Sequence, residues 1–175
     1  MKRTVWIFGS IIGIIFITFL LYSTTECYTN PEMKSNDVVG YAGMIAAFSF
    51  IFVGIKNYRD KYNGGLITFG QAFKTGLYIT LIASTMYVVV WLVEYYVFIP
   101  DFLDKFIPHV MKEASQDGAS SVELAEKQRE MDEFKEMYKN PLFVVLVTYA
   151  EIFPLGLVIT LISALILKRR EVSTT

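Results

Sequence analysis

Four stretches of this chain are each long enough to cross a bilayer, and three of them carry no charge at all. Thr4 to Thr25, Val38 to Ile55 and Thr75 to Val93 contain no Asp, Glu, Lys or Arg, and Asn140 to Leu167 contains only Glu151. A helix needs roughly 18 to 20 apolar residues to cross about 30 Å of hydrocarbon, and every block meets that length. Helices are also the economical solution, because they satisfy each backbone N–H and C=O within the segment. The mean hydropathy of +0.44 agrees, and 175 residues suffice for one domain. The expectation is an all-α membrane protein forming a single membrane domain over 1–175, with four transmembrane helices at about 5–25, 38–55, 75–99 and 141–167.

The distribution of charge orients those spans. Met1 to Arg3, the Lys56–Arg59–Lys61 loop and Lys168–Arg169–Arg170 are basic, whereas Glu26 to Asp37 holds a single lysine. Basic short loops stay on the cytoplasmic side, so both termini and the middle loop are expected there. Pro100 to Lys139, with ten acids against six bases, then lies outside. The apolar run of 18 residues from Val5 to Tyr22 exceeds the usual core of a cleaved signal peptide, which favours an uncleaved anchor. Cys27, the only cysteine, has no partner for an internal disulfide and reads as an idle thiol.

Gly9 and Gly13 stand at GxxxG spacing, which lets two helix backbones approach closely. Packing within the chain is favoured there over a homo-oligomer seam. Gly43, Ala47 and Gly54 give the second span a similar small-residue face. After the Gly64–Gly65 turn, Thr68 and Gln71 fit a capping box, placing a helix start in the interface over 68–75. The run Phe69 to Ile99 spans 31 residues, about 46 Å as a helix, and a bend is expected near Gly76. The segments Gly54-Ile-Lys-Asn-Tyr-Arg-Asp60 and Gly64-Gly-Leu-Ile-Thr-Phe-Gly-Gln-Ala-Phe-Lys-Thr-Gly76 resemble the signature of an uncharacterised bacterial family of small four-span membrane proteins, catalogued as a domain of unknown function. The resemblance covers nearly the whole chain. It implies a multi-pass protein of the cell inner membrane and brings no activity, ligand or catalytic residue.

Between spans three and four, over 100–140, two helices are expected to form an external helical hairpin. Phe102, Leu103, Phe106, Ile107, Val110 and Met111 make one apolar side suited to the membrane surface, and Pro108 should interrupt that helix. Ser120 with Glu123 forms a second capping box. The helix it opens carries Leu124, Met131, Phe134 and Tyr138 at helical spacing.

Two acids break the apolar pattern. A carboxylate in hydrocarbon is costly, so Glu94 and Glu151 invite a functional reading. Glu94 lies 20 residues from Lys74, about 30 Å up span three, and Glu151 lies 17 residues from Lys168, about 25 Å up span four. Both are thus expected at similar heights toward the outer leaflet. Thr80, Ser84, Tyr87 and Glu94 share one face of their helix. Glu94, beside the aromatic belt of Trp91, Tyr95 and Tyr96, can reach headgroup water, and that structural role is favoured. Glu151 lies deeper, and Pro154 deprives the Ala150 carbonyl of its helical donor, so structure and function are evenly weighed. Candidate hydrogen-bond donors for the acids are Tyr87, Tyr95, Thr148 and Tyr149. The candidate polar site therefore comprises Glu94, Glu151, Thr80, Ser84, Tyr87 and Thr148.

His109 has no Cys or His at ligand spacing, so no metal is expected. No nucleotide cradle or nucleophile set points to catalysis or a cofactor, and the basic loop is explained by topology rather than nucleic acid. The leading reading is a non-enzymatic accessory or scaffold subunit that lies in the lipid bilayer and binds a membrane or periplasmic protein partner through the external hairpin or the small-residue faces. The alternative is a small-solute or ion-binding transport component using Glu94 and Glu151.

Overall fold

Every regular element of the computed structural model is a helix; the model describes residues 1–29 and 37–169. The side chains at 27, 28 and 37–39 lie outside that description, and so do the expectations for the Cys27 thiol and for Arg170. The elements are α1 (Lys2–Thr29), α2 (Asp37–Phe48), α3 (Phe50–Tyr62), α4 (Phe69–Val93), α5 (Phe102–Gln116), α6 (Ser121–Met137) and α7 (Pro141–Leu167). Four of the resulting rods are long and apolar enough to cross a membrane: Lys2–Glu26, Gly40–Tyr62, Phe69–Phe98 and Pro141–Leu167.

The second rod is α2 and α3 joined at Ser49, which keeps helical dihedrals. Its hydroxyl donates to the Ala46 carbonyl at 2.6 Å, and Phe52 N–H reaches back to the Ser49 carbonyl at 3.0 Å. One residue is pinched into a tighter turn, and the rod continues to Tyr62, past the expected end at 55.

The central rod is α4, which packs most extensively on α1 and α7. Glycines set the spacing. A Cβ at Gly156 would stand 2.5 Å from Thr80 Cγ2 and 2.8 Å from the Phe48 ring, and one at Gly76 would stand 2.7 Å from Thr160 Cγ2. Gly76 therefore serves close packing and not a bend, since α4 runs unbroken through it. Gly9 and Gly13 likewise admit Ile82 and Met86 of α4, so the GxxxG face of α1 is occupied within the chain. Around these contacts Ile12, Phe48, Ile51, Ile55, Ile79, Ala83 and Ile152 are fully enclosed.

At one end of the bundle the chain is clasped. Ile67 and Arg169 exchange both backbone hydrogen bonds, at 3.0 and 2.8 Å, tying the loop before α4 to the end of α7. Gly64 and Gly65 adopt positive φ of 62° and 80° there, a conformation glycine reaches without steric cost.

At the other end α5 and α6 form the hairpin, joined by the Asp104–Lys135 ion pair. The capping boxes at Thr68–Gln71 and Ser120–Glu123 are both formed. Pro108, expected to interrupt α5, sits inside it; the helix accepts the loss of one backbone bond because its apolar side is anchored. That side does not simply lie on the membrane. Leu103 and Ile107 are buried, with Phe102, Phe106 and Met111 beside them, against Trp91, Tyr138 and Phe134. The outward surface of the hairpin is charged, and its exposed large apolar side chains are Val122 and Met137.

Candidate functional site

The expected polar stripe on α4 faces the interior. Thr80 and Ser84 are fully buried, Glu94 is 7% exposed, and Tyr87 is half-buried with its ring edge-on to Phe16. The stripe changes character along its length. At the bottom Thr80 Oγ1 shares a hydrogen bond with Thr160 Oγ1 at 3.1 Å and lies 3.4 Å from the Gly156 carbonyl. One turn higher, Ser84 Oγ is buried without a hydrogen-bond partner among the described residues.

Glu94 ends α4 and opens a widened turn over Glu94–Phe98, closed by Ile99 N–H donating to the Glu94 carbonyl at 2.9 Å. Such i→i+5 turns recur at functional positions. Thr24 Oγ1 of α1 donates to Glu94 Oε1 at 2.5 Å, while Glu94 Oε2 is buried with no hydrogen-bond partner among the described residues. Glu94 is thus enclosed rather than reaching headgroup water as expected. Its donor is Thr24, which was not among the candidates because α1 and α4 are adjacent only in space. Two of the candidate hydroxyls are used elsewhere: Tyr149 bonds Thr85 Oγ1 at 2.7 Å, and Thr148 donates to the Val144 carbonyl at 2.7 Å.

Above Thr148 lies Tyr138, the residue that ends α6. Trp91 Nε1 donates to its hydroxyl at 3.0 Å. Burial pushes the Tyr138 phenol up from its ordinary range, with the Trp91 bond partly offsetting this. The hairpin is therefore locked to the membrane helices by a buried polar contact as well as by aromatic packing.

Glu151 behaves differently from Glu94. It is exposed on the flank of α7 and makes no hydrogen bond or ion pair with a described residue. Nor are the two acids level. Thr80 faces Gly156, and Thr85 bonds Tyr149. Glu151 is thus opposite about residue 85, and Glu94 stands roughly nine residues, about 14 Å, nearer the hairpin. Counting from the lysines misplaced them because the Ile67–Arg169 bridge sets Lys168 level with the start of α4, while Lys74 is already more than a turn higher. Tyr87 lies between, within electrostatic range of both carboxylates.

Among the described residues no three His, Cys, Asp or Glu side chains gather as a metal site. The family model described as "Protein of unknown function (DUF4199)" matches residues 7–169. No curated protein and no solved structure matches.

Proposed function

Since the chain belongs to the DUF4199 family of proteins of unknown function, we propose from its own surfaces that it is a non-enzymatic accessory or scaffold subunit of a membrane assembly. One observation carries this reading: Glu151 is an exposed residue on the flank of a membrane span. Acids within spans face a protein interior or a wet cavity, so a chain that leaves one on its outer flank is not the complete unit. The distribution of basic residues supports both termini in the cytoplasm and the hairpin outside.

The contact runs through the membrane flank. Neither surface expected from sequence serves: the hairpin presents charge outward rather than an apolar patch, and the GxxxG face of α1 is filled by α4. A photo-cross-linking side chain at Val158, on the flank of Glu151, should yield a defined heavier adduct in native membranes. The same group at Ile7 of α1, which is also exposed, should label lipid alone. Indistinguishable labelling at the two positions overturns the proposal.

A second reading is favoured by a different observation. Ser84 Oγ and Glu94 Oε2, both buried and unpartnered, lie on one stripe with Tyr87 between them. Buried polar atoms without partners are uncommon and ask for a hydrogen-bonding or cationic guest. A small cation or solute held by Glu94 would satisfy its free oxygen, while Ser84, ten residues or about 15 Å lower on the helix, would need a second guest such as a water below Tyr87. Thr80, Gly156 and Phe48 pack closely at the next level, so such a site would be reached from the hairpin side. Binding of a small cation that stabilises the wild type and not Glu94→Gln supports this reading; equal stabilisation of both rules it out.

A further inference from the structure

The flank of α7 carries more than a stray acid. Glu151, Pro154, Val158, Leu161 and Leu165 are all exposed. Their spacing of three, four, three and four residues is that of a helix–helix seam. Glu151 stands ten residues from one end of the 27-residue helix and sixteen from the other, about 15 Å and 24 Å along the axis. It is the only Asp, Glu, Lys or Arg in the middle of any of the four spans. Hydrocarbon contacts the exposed apolar stretches of the other rods without cost, but it cannot solvate this one.

Pro154 sharpens the chemistry of the seam. Lacking an N–H, it leaves the Ala150 carbonyl without its helical donor, and Ala150 is also exposed. A carboxylate and a freed carbonyl, one residue apart in sequence, make an acceptor pair for a cation that carries several N–H donors. A second copy of this chain is badly placed to supply that cation, because the lysines and arginines of its spans, Lys2, Arg3, Lys56, Arg59, Lys61 and Lys74, all lie toward the clasp end and none at the depth of Glu151.

We infer that the Glu151–Leu165 seam seats one membrane-spanning helix of a partner protein, bearing a lysine or arginine at the depth of Glu151 and apolar side chains opposite Val158, Leu161 and Leu165. The inference rests on the accessory-subunit reading and names the chemistry of the partner. The basic residue is itself unstable in hydrocarbon, so each chain removes the other's desolvation cost and neither is complete alone.

The test uses the purified full chain in zwitterionic bilayers with a synthetic leucine–alanine membrane helix, followed by energy transfer between labels. A helix with one lysine or arginine at the matching depth should associate at least tenfold more tightly than the uncharged host. Glu151→Gln should bring the two helices to parity, and Glu94→Gln should leave the preference intact. Moving the lysine seven residues along the helix, about 10 Å, should abolish the preference. Glu151→Lys should instead prefer a host helix bearing glutamate, which keeps the test informative if the glutamine variant folds poorly. Equal binding of charged and uncharged helices by the wild type overturns the inference, as does a preference that survives Glu151→Gln. Self-association of the chain alone that Glu151→Gln removes also overturns it, by making the occupant a second copy. If charged helices show no preference while the Val158 cross-link still forms in native membranes, only the partner's chemistry falls; loss of both results removes the accessory reading as well.

Discussion

The two ends of the membrane bundle are built from different materials. Toward the clasp, glycine, threonine and isoleucine pack so closely that Cβ atoms at Gly76 and Gly156 would fall 2.5–2.7 Å from threonine methyls. Toward the hairpin, Trp91, Tyr95, Phe102, Phe134 and Tyr138 meet edge-on or tilted, and Glu94 is buried among the helix ends. In a membrane, helices associate through close packing and hydrogen bonds because lipid is as apolar as the side chains. The clasp end relies on the first of these. The hairpin end faces water, so aromatic burial can contribute there, and buried polar groups can be approached. The difference separates a sealed half from a half with chemistry in it.

Overpacking gives the largest expected effect. Gly156→Val forces a side chain into Thr80 and Phe48 and should destabilise the clasp half by about 3 kcal/mol, read by reversible unfolding in mixed micelles. Gly70→Ala, where a Cβ meets nothing within 4 Å, should cost nothing. Equal losses would erase the contrast in packing. At the hairpin end, Tyr138→Phe strands the buried Trp91 N–H, a loss of about 2 kcal/mol. Hydrogen exchange should then quicken in α5 and α6 and stay unchanged around Gly76; acceleration at both ends would show one cooperative unit instead of two. Thr80→Val removes the Thr80–Thr160 bond and should cost about 0.6 kcal/mol, the usual worth of an interhelical hydrogen bond in a membrane.

The smallest effect depends on pH and stays on the hairpin. The backbone and side-chain hydrogen bonds from Ser120 hold the Glu123 carboxylate below its ordinary range. Because the folded value is the lower one, its contribution is fully present above the usual glutamate range and fades as pH falls through the depressed value. The protection factor of amides in the first turn of α6, that is, exchange corrected for its intrinsic pH dependence, should be flat from pH 8 to 6 and fall only in acid. A fall near neutrality would exclude Glu123 as the cause.

Much of the fold was legible from sequence because hydrocarbon imposes a simple rule on uncharged blocks, and because Thr68–Gln71 and Ser120–Glu123 announce helix starts locally. What escaped was long-range. Nothing in the sequence around Ile67 and Arg169 foretells their bridge, and without it the relative depth of Glu94 and Glu151 was misjudged. Pro108 was read by its local cost alone, while the burial of Leu103 and Ile107 decides that α5 continues. Helical spacing placed Thr80, Ser84, Tyr87 and Glu94 on one face of their helix, which is the face turned inward. It gave no warning of Thr24, whose role depends on which helix lies beside α4. The outward position of Glu151 is likewise set by how α7 docks.

Spin labels at position 151 or 94 of the isolated chain, each introduced through cysteine in a Cys27→Ser background, test this most directly in a lipid bilayer. A label at 151 should collide freely with lipid-dissolved oxygen, and one at 94 should be shielded beside Thr24. If position 151 is as shielded as position 94, Glu151 faces inward and the assembly seam on α7 does not exist.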